Sequence, residues 1–149
     1  MKKIKFLLFD TYIETIKKSV GTKMFQSVYA LVDGKKKDVA ENGVYSCANY
    51  ASSLLVIFDL IESRHATVKS TIKDMEKSGW EKIRKPKIGA VIIWEPWERS
   101  DRHHIGFYIG DDKAISTESD NDGVPHKHHW TYSDKRPVKS IWWHKKLEN

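Results

Sequence analysis

The spacing of apolar positions changes character at Pro86. Before it they recur at helical intervals; after it they alternate in short runs, as strands do. Phe6, Phe9, Ile13 and Ile16 recur every three or four residues, which predicts an amphipathic helix over 4–19 ending near Gly21. Met24, Val28, Leu31 and Val32 predict a second helix that stops at Asp33-Gly34. The polar run 35–43, KKKDVAENG, reads as a loop. From Cys47 onward, Ala51, Leu54, Phe58 and Ile61 share one helical stripe, so the thiol faces the packed side at the start of a helix. Thr67 can cap a further helix bearing Val68, Ile72 and Met75, closed by Gly79.

The second half predicts strands over 90–94, 104–109, 113–117, 128–132 and 138–144. Gly110-Asp111-Asp112 reads as a tight hairpin, and 118–127 as a loop. Strands gathered after helices indicate α+β: an antiparallel sheet backed by helices. The whole chain, 1–149, reads as one domain, with a helical lead-in over 1–40 and a core over 41–149.

Composition narrows this picture. With 40% hydrophobic and 11% aromatic residues, the chain is not of a disordered class. Its longest apolar run, LLVIF at 54–58, is too short to span a bilayer, so no transmembrane segment is expected. The start, MKKIKFLLFD, imitates a signal peptide only briefly. Its apolar stretch is followed by Asp10, Glu14 and Lys17 without a small-residue cleavage site, so a cytoplasmic chain is expected, with export by another route as the alternative. A net charge of +6 suggests an anionic partner. The lysines are scattered as short clusters (Lys2–Lys3, Lys17–Lys18, Lys35–Lys37, Lys145–Lys146) rather than along one helix face, so no specific nucleic-acid partner is expected. A monomer is expected.

The candidate chemistry rests on Cys47 and His104. A thiol at a helix start, followed by a histidine opening a strand, is what a cysteine nucleophile needs. The helix end favours thiolate, and an imidazole can take the proton. Strand alternation puts His104, Gly106 and Tyr108 on one face, with Ile105, Phe107 and Ile109 on the core face. Gly106 is expected to leave room for a thiol or substrate beside the ring, and His103 to leave the opposite face. Backbone N–H groups at the start of the Cys47 helix can form an oxyanion hole, to which Tyr45 could add a hydroxyl; an ordinary packed aromatic is its alternative role. Trp97, in the loop WEPWERSDR at 94–102, whose charged residues predict a polar and mobile segment, could line a substrate groove. His103, His104, His126, His128 and His129 invite a metal, but no cysteine or carboxylate stands at a standard zinc spacing from H-x-H-H, so no metal is expected.

The order of these elements resembles the NlpC and CHAP branches of the papain-like cysteine peptidases. The specific part is HIGFYIGDDKAIS, a strand of the form H-hydrophobic-G-hydrophobic-Y-I-G leading by a hairpin into another strand. The cysteine motif is looser. Ser46-Cys47-Ala48 stands where the NlpC branch has Asp-Cys-Ser, and Tyr50 supplies the aromatic that the CHAP branch has three residues after its cysteine. Gly89-Ala90 replaces the Gly-Asp pair that often opens the strand before the histidine. The resemblance covers about residues 40–144. It implies a five- or six-stranded antiparallel sheet with the cysteine on a helix packed against it. It also implies a thiol hydrolase cleaving amide bonds of peptidoglycan peptides through a thioester, with no cofactor. Cys47 would be nucleophile and His104 base. The family's third, imidazole-orienting position in the NlpC branch lies twelve residues beyond the histidine, at Ser116. The family more often has His, Asn or Gln there, and the CHAP branch Glu or Asn. Glu118, Asn121, His128 and His129 are therefore alternatives for this role. Two rival functions stand beside this one: an acyltransferase or amidase on a non-wall substrate using the same dyad, and a non-catalytic basic binding module in which Cys47 is merely buried.

Overall fold

The computed structural model describes residues 1–97 and 101–148, Asn121 by its backbone alone. The fold is α+β, with three helices, a six-stranded antiparallel sheet and a separate two-stranded hairpin. The helices are α1 (Leu8–Lys18), α2 (Cys47–Ile57) and α3 (Val68–Lys77). The hairpin is β1 (Tyr29–Val32) and β2 (Lys35–Asp38). The large sheet holds β3 (Glu81–Ile83), β4 (Val91–Trp94), β5 (His104–Gly110), β6 (Lys113–Thr117), β7 (Pro125–His129) and β8 (Val138–Trp143), in the order β3-β8-β4-β5-β6-β7. Among the described residues no helix is long and apolar enough to cross a membrane.

Helix α2 lies on the face of β5 and β6 where alternation places Ile105, Phe107 and Ile115. Its small residues Ala48, Ala51, Ser52 and Ser53 are all buried and let the helix approach closely. Their buried polar neighbours are satisfied, as burial demands: Asn49 Nδ2 donates to the Phe25 carbonyl at 3.0 Å, and Arg64 donates to both Ser53 Oγ and Asn49 Oδ1. Tyr12 of α1 and Tyr50 of α2 meet Phe107 edge-on, with ring centroids 6.0 and 5.7 Å apart. The Tyr12 hydroxyl also donates to the Gly89 carbonyl at 2.8 Å. The opposite face carries a second apolar cluster, Ile92, Trp94, Ala114 and Ile141, with Tyr108, Trp130 and Tyr132 against it.

Several local expectations change. Helix α1 begins at Leu8, and Phe6, which opened the periodic pattern, is 91% exposed. The helix expected over Met24–Val32 is strand β1, and its partner β2 occupies part of the run read as loop. Asp33 and Gly34 adopt positive φ of 52° and 78°, as a two-residue hairpin turn requires. The carboxylate of Asp38 closes the hairpin's base by accepting from the amides of Val28, Ala40 and Asn42. Helix α2 stops at Ile57, because Asp59 turns the chain with φ of 55°; Leu60 and Ile61 reach the core from that turn. Strand β7 lies at 125–129 rather than 128–132, since Tyr132, Ser133 and Asp134 all have positive φ and reverse the chain there. Short β3 was not expected. The hairpin between β5 and β6 is as expected, with Asp111 and Asp112 at φ of 52° and 57°.

Candidate active site

Cys47 stands at the first residue of α2 and His104 at the first residue of β5, and both line one cavity of about 1120 Å³. Cys47 faces this cavity from an α2 that is pinned at its start. The Ser46 hydroxyl, instead of capping the helix, contacts Thr117 Oγ1 at 3.1 Å, at the end of β6, and the Gly43 and Gly123 carbonyls at 3.1 and 3.2 Å. The backbone amides of Ile105, Ala48 and Cys47 itself point toward the thiol. Helix N–H groups left uncapped by a side chain are free to receive a developing oxyanion.

The imidazole is deeply set. His104 is 5% exposed, with its ring centroid 5.2 Å from that of Trp94. Ser116, which is fully buried, meets Nε2 of His104 at 3.0 Å, the partner expected from the twelve-residue offset. Glu118 Oε1 lies 3.8 Å from the same nitrogen and has no hydrogen-bond partner among the described residues. His128 reaches Ser116 rather than His104, with Nε2 2.7 Å from the serine oxygen. His129 turns away. Its Nδ1 accepts from the amides of Thr131 and Ser133, tying the turn after β7, which removes it from the candidates for orienting His104. The Asn121 side chain lies outside the described residues. His103, just before the strand, also lines the cavity, 3.2 Å from Lys139 Nζ and 3.8 Å from Glu95 Oε2.

Gly106 does not hold space for thiol or substrate. A Cβ there would lie 2.7 Å from the Ile115 carbonyl oxygen, 2.7 Å from Ser116 Cβ and 3.0 Å from Trp94 Cζ3. The missing side chain lets Trp94 and the neighbouring strand close in beside His104. Tyr45 is not a packed aromatic: its ring stands in the cavity wall with the Arg102 guanidinium 3.7 Å from its centroid. Trp97 also lines the cavity, 5.7 Å from the Tyr132 ring. Residues 98–100 of its loop lie outside the described residues.

Sequence reasoning missed Arg136 and Tyr132. Arg136 is buried, donates through Nε to the Glu95 carbonyl at 2.8 Å, and lies over the Trp97 ring at 4.6 Å. Tyr132 hydrogen-bonds both Ser116, at 3.1 Å, and Glu118. No local signal marks either residue, because the turn after β7 brings them to the site.

Electrostatics here oppose the simple picture of a helix-stabilised thiolate. Burial pushes the Cys47 thiol up, against the opposing pull of the Ile105 and Ala48 amides and Arg136. Burial also holds His104 well below its usual range, and the charges of Arg136, His128 and His126 push the same way. Burial outweighs a helix start because the whole ion loses water, whereas helix ends offer only partial charges. The resting pair is a neutral thiol and a neutral imidazole. Burial raises the Glu118 carboxyl, partly offset by the Tyr132 hydrogen bond. Among the described residues no group of three or more His, Cys, Asp or Glu side chains is placed to hold a metal ion.

No protein-family model matches the chain, and no curated protein matches it.

Proposed function

We propose that the chain is a papain-like thiol hydrolase of the NlpC/CHAP type that cleaves amide bonds, with peptidoglycan peptides as the substrate class its resemblance implies. The observation that carries this reading is that Cys47 and His104 line one cavity, with the buried Ser116 behind the imidazole on its Nε2. That contact leaves Nδ1 to take the thiol proton. The sulfur then attacks the amide carbon, and N–H groups at the start of α2 receive the oxyanion. His104 returns the proton to the leaving amine, a thioester forms, and water activated by the same ring releases the acid. The neutral resting pair means that proton transfer accompanies attack rather than preceding substrate binding. Tyr45 and Trp97 stand in the cavity wall as contacts for the substrate.

The raised thiol favours a second reading, the non-catalytic module with an inert cysteine. Incubation with purified peptidoglycan and with free muropeptides, followed by mass spectrometry, tests the first reading. New amine and carboxyl ends absent with Cys47→Ala are expected. No cleavage of either material, together with iodoacetamide labelling of Cys47 only after denaturation, would favour the module. An acyltransferase or an amidase on a non-wall substrate would instead leave wall material intact while keeping native labelling that depends on His104.

A further inference from the structure

We propose that His128 is a positioning residue: acting through Ser116, it decides which ring nitrogen of His104 carries the proton. The inference rests on the thiol-hydrolase reading and is argued from hydrogen-bond directions together with the burial of His128. His128 Nδ1 lies 2.8 Å from the carbonyl of His129, and a carbonyl only accepts, so Nδ1 carries hydrogen. Burial holds His128 down to about 4, so at neutral pH the ring has a single N–H and its Nε2 is a lone pair. That lone pair lies 2.7 Å from Ser116 Oγ, so the serine hydroxyl donates to it. Serine has one hydrogen. His128 Nε2 at 2.7 Å is a nearer and better acceptor than the Tyr132 hydroxyl at 3.1 Å; with the hydrogen on it, Ser116 can only accept at its 3.0 Å contact with His104 Nε2, so His104 is protonated on Nε2 and bare on Nδ1. A bare Nδ1 is the form a base for Cys47 needs.

The wire is held in place at its far end. The His128 ring stacks on Tyr132 with centroids 4.2 Å apart and planes 18° from parallel. Without His128 the Ser116 hydrogen is released and can donate to His104 Nε2, moving the imidazole proton to Nδ1 and removing the base. Serine alone orients a ring in either tautomer; serine backed by a one-way acceptor orients it in one.

The test uses full-length protein labelled with ¹⁵N-histidine at pH 7. Imidazole ¹⁵N spectra are expected to show His104 as the Nε2–H tautomer and His128 as the Nδ1–H tautomer. His128→Leu should move His104 toward Nδ1–H, and His128→Gln, whose amide oxygen can accept from Ser116, should restore Nε2–H. A His104 protonated on Nδ1 in the parent protein overturns the proposal even if His128→Leu fails to fold. Alkylation of Cys47 by iodoacetamide separates this from the underlying reading. Slower labelling in His104→Ala supports the dyad, and a slowing of about ten- to a hundredfold, no greater than that in His104→Ala, is expected in His128→Leu, the scale on which an outer orienting partner acts, with recovery in His128→Gln. Slowing in His104→Ala with parent-like labelling in His128→Leu overturns the role of His128 alone. Parent-like labelling in His104→Ala overturns the dyad, while the spectra still decide the tautomer.

Discussion

Gly106→Ala tests how the imidazole is held. Gly106 has no positive φ, so alanine meets no backbone strain, and the whole effect is packing. The new methyl would stand 2.7 Å from the Ile115 carbonyl oxygen and 2.7 Å from Ser116 Cβ. The first belongs to the backbone of β6, held between two neighbouring strands, and cannot swing aside. Overpacking at such a site costs about 3 kcal/mol, the upper part of its usual range. Replacing glycine stiffens the unfolded chain and offsets about 1 kcal/mol. The net loss is about 2 kcal/mol, a fall of about 4–8 °C in Tm for a domain of this size. Thermal unfolding followed by circular dichroism measures it, and native iodoacetamide labelling of Cys47 reads the accompanying displacement of Ser116. An alanine variant that melts at or above the parent temperature would refute the close packing and restore an open space beside His104.

On the proposed thiol-hydrolase reading, Cys47→Ser and His104→Ala should each abolish turnover without loss of fold, because nucleophile and base would act as a unit, whereas His103→Ala should cost little; steady-state rates on a muropeptide substrate decide this, and reversed histidine effects would refute the strand register. Ser116→Ala should slow turnover by about ten- to a hundredfold, less than loss of the dyad, and a near-normal rate beside a large loss in Glu118→Gln would transfer the orienting role to Glu118. Asp74 should give acid stability. Burial pushes its carboxyl up, but hydrogen bonds from the Glu62 amide, His65, the Ser63 amide and Ser78 outweigh this and hold it at about 2 instead of 3.8. A depressed carboxyl stabilises above its unfolded value, so about 2 kcal/mol is present above about pH 4 and is lost as pH falls to about 2. Urea midpoints measured across that window should fall steeply in the parent and flatten in Asp74→Asn.

Strand alternation at 104–110 placed Ile105 and Phe107 beneath the helices and His104 on the far face from sequence alone, because a strand's period of two leaves no freedom once one face is buried. The hairpin at Asp111-Asp112 was equally legible, since its turn needs residues that tolerate positive φ. Cys47 at a helix start and Ser116 twelve residues beyond His104 were also readable along the chain. The helix expected over Met24–Val32 failed because four apolar residues at helical spacing also fit a short strand, and the Asp38 carboxylate joining three amides decided between them. The use of Gly106 was misread for a related reason. A missing side chain marks a close approach, but only the neighbouring strand and Trp94 determine what approaches. Arg136 and Tyr132 were beyond the sequence altogether, because three positive-φ residues after β7 fold the turn back over the site; His128 was readable as an alternative orienter, but not as a partner of Ser116. The ionisation of the dyad also belongs to tertiary structure. A helix start says thiolate and a solvated histidine says a base near neutrality, but burial acts on the full charge of each, and it sets both neutral at rest.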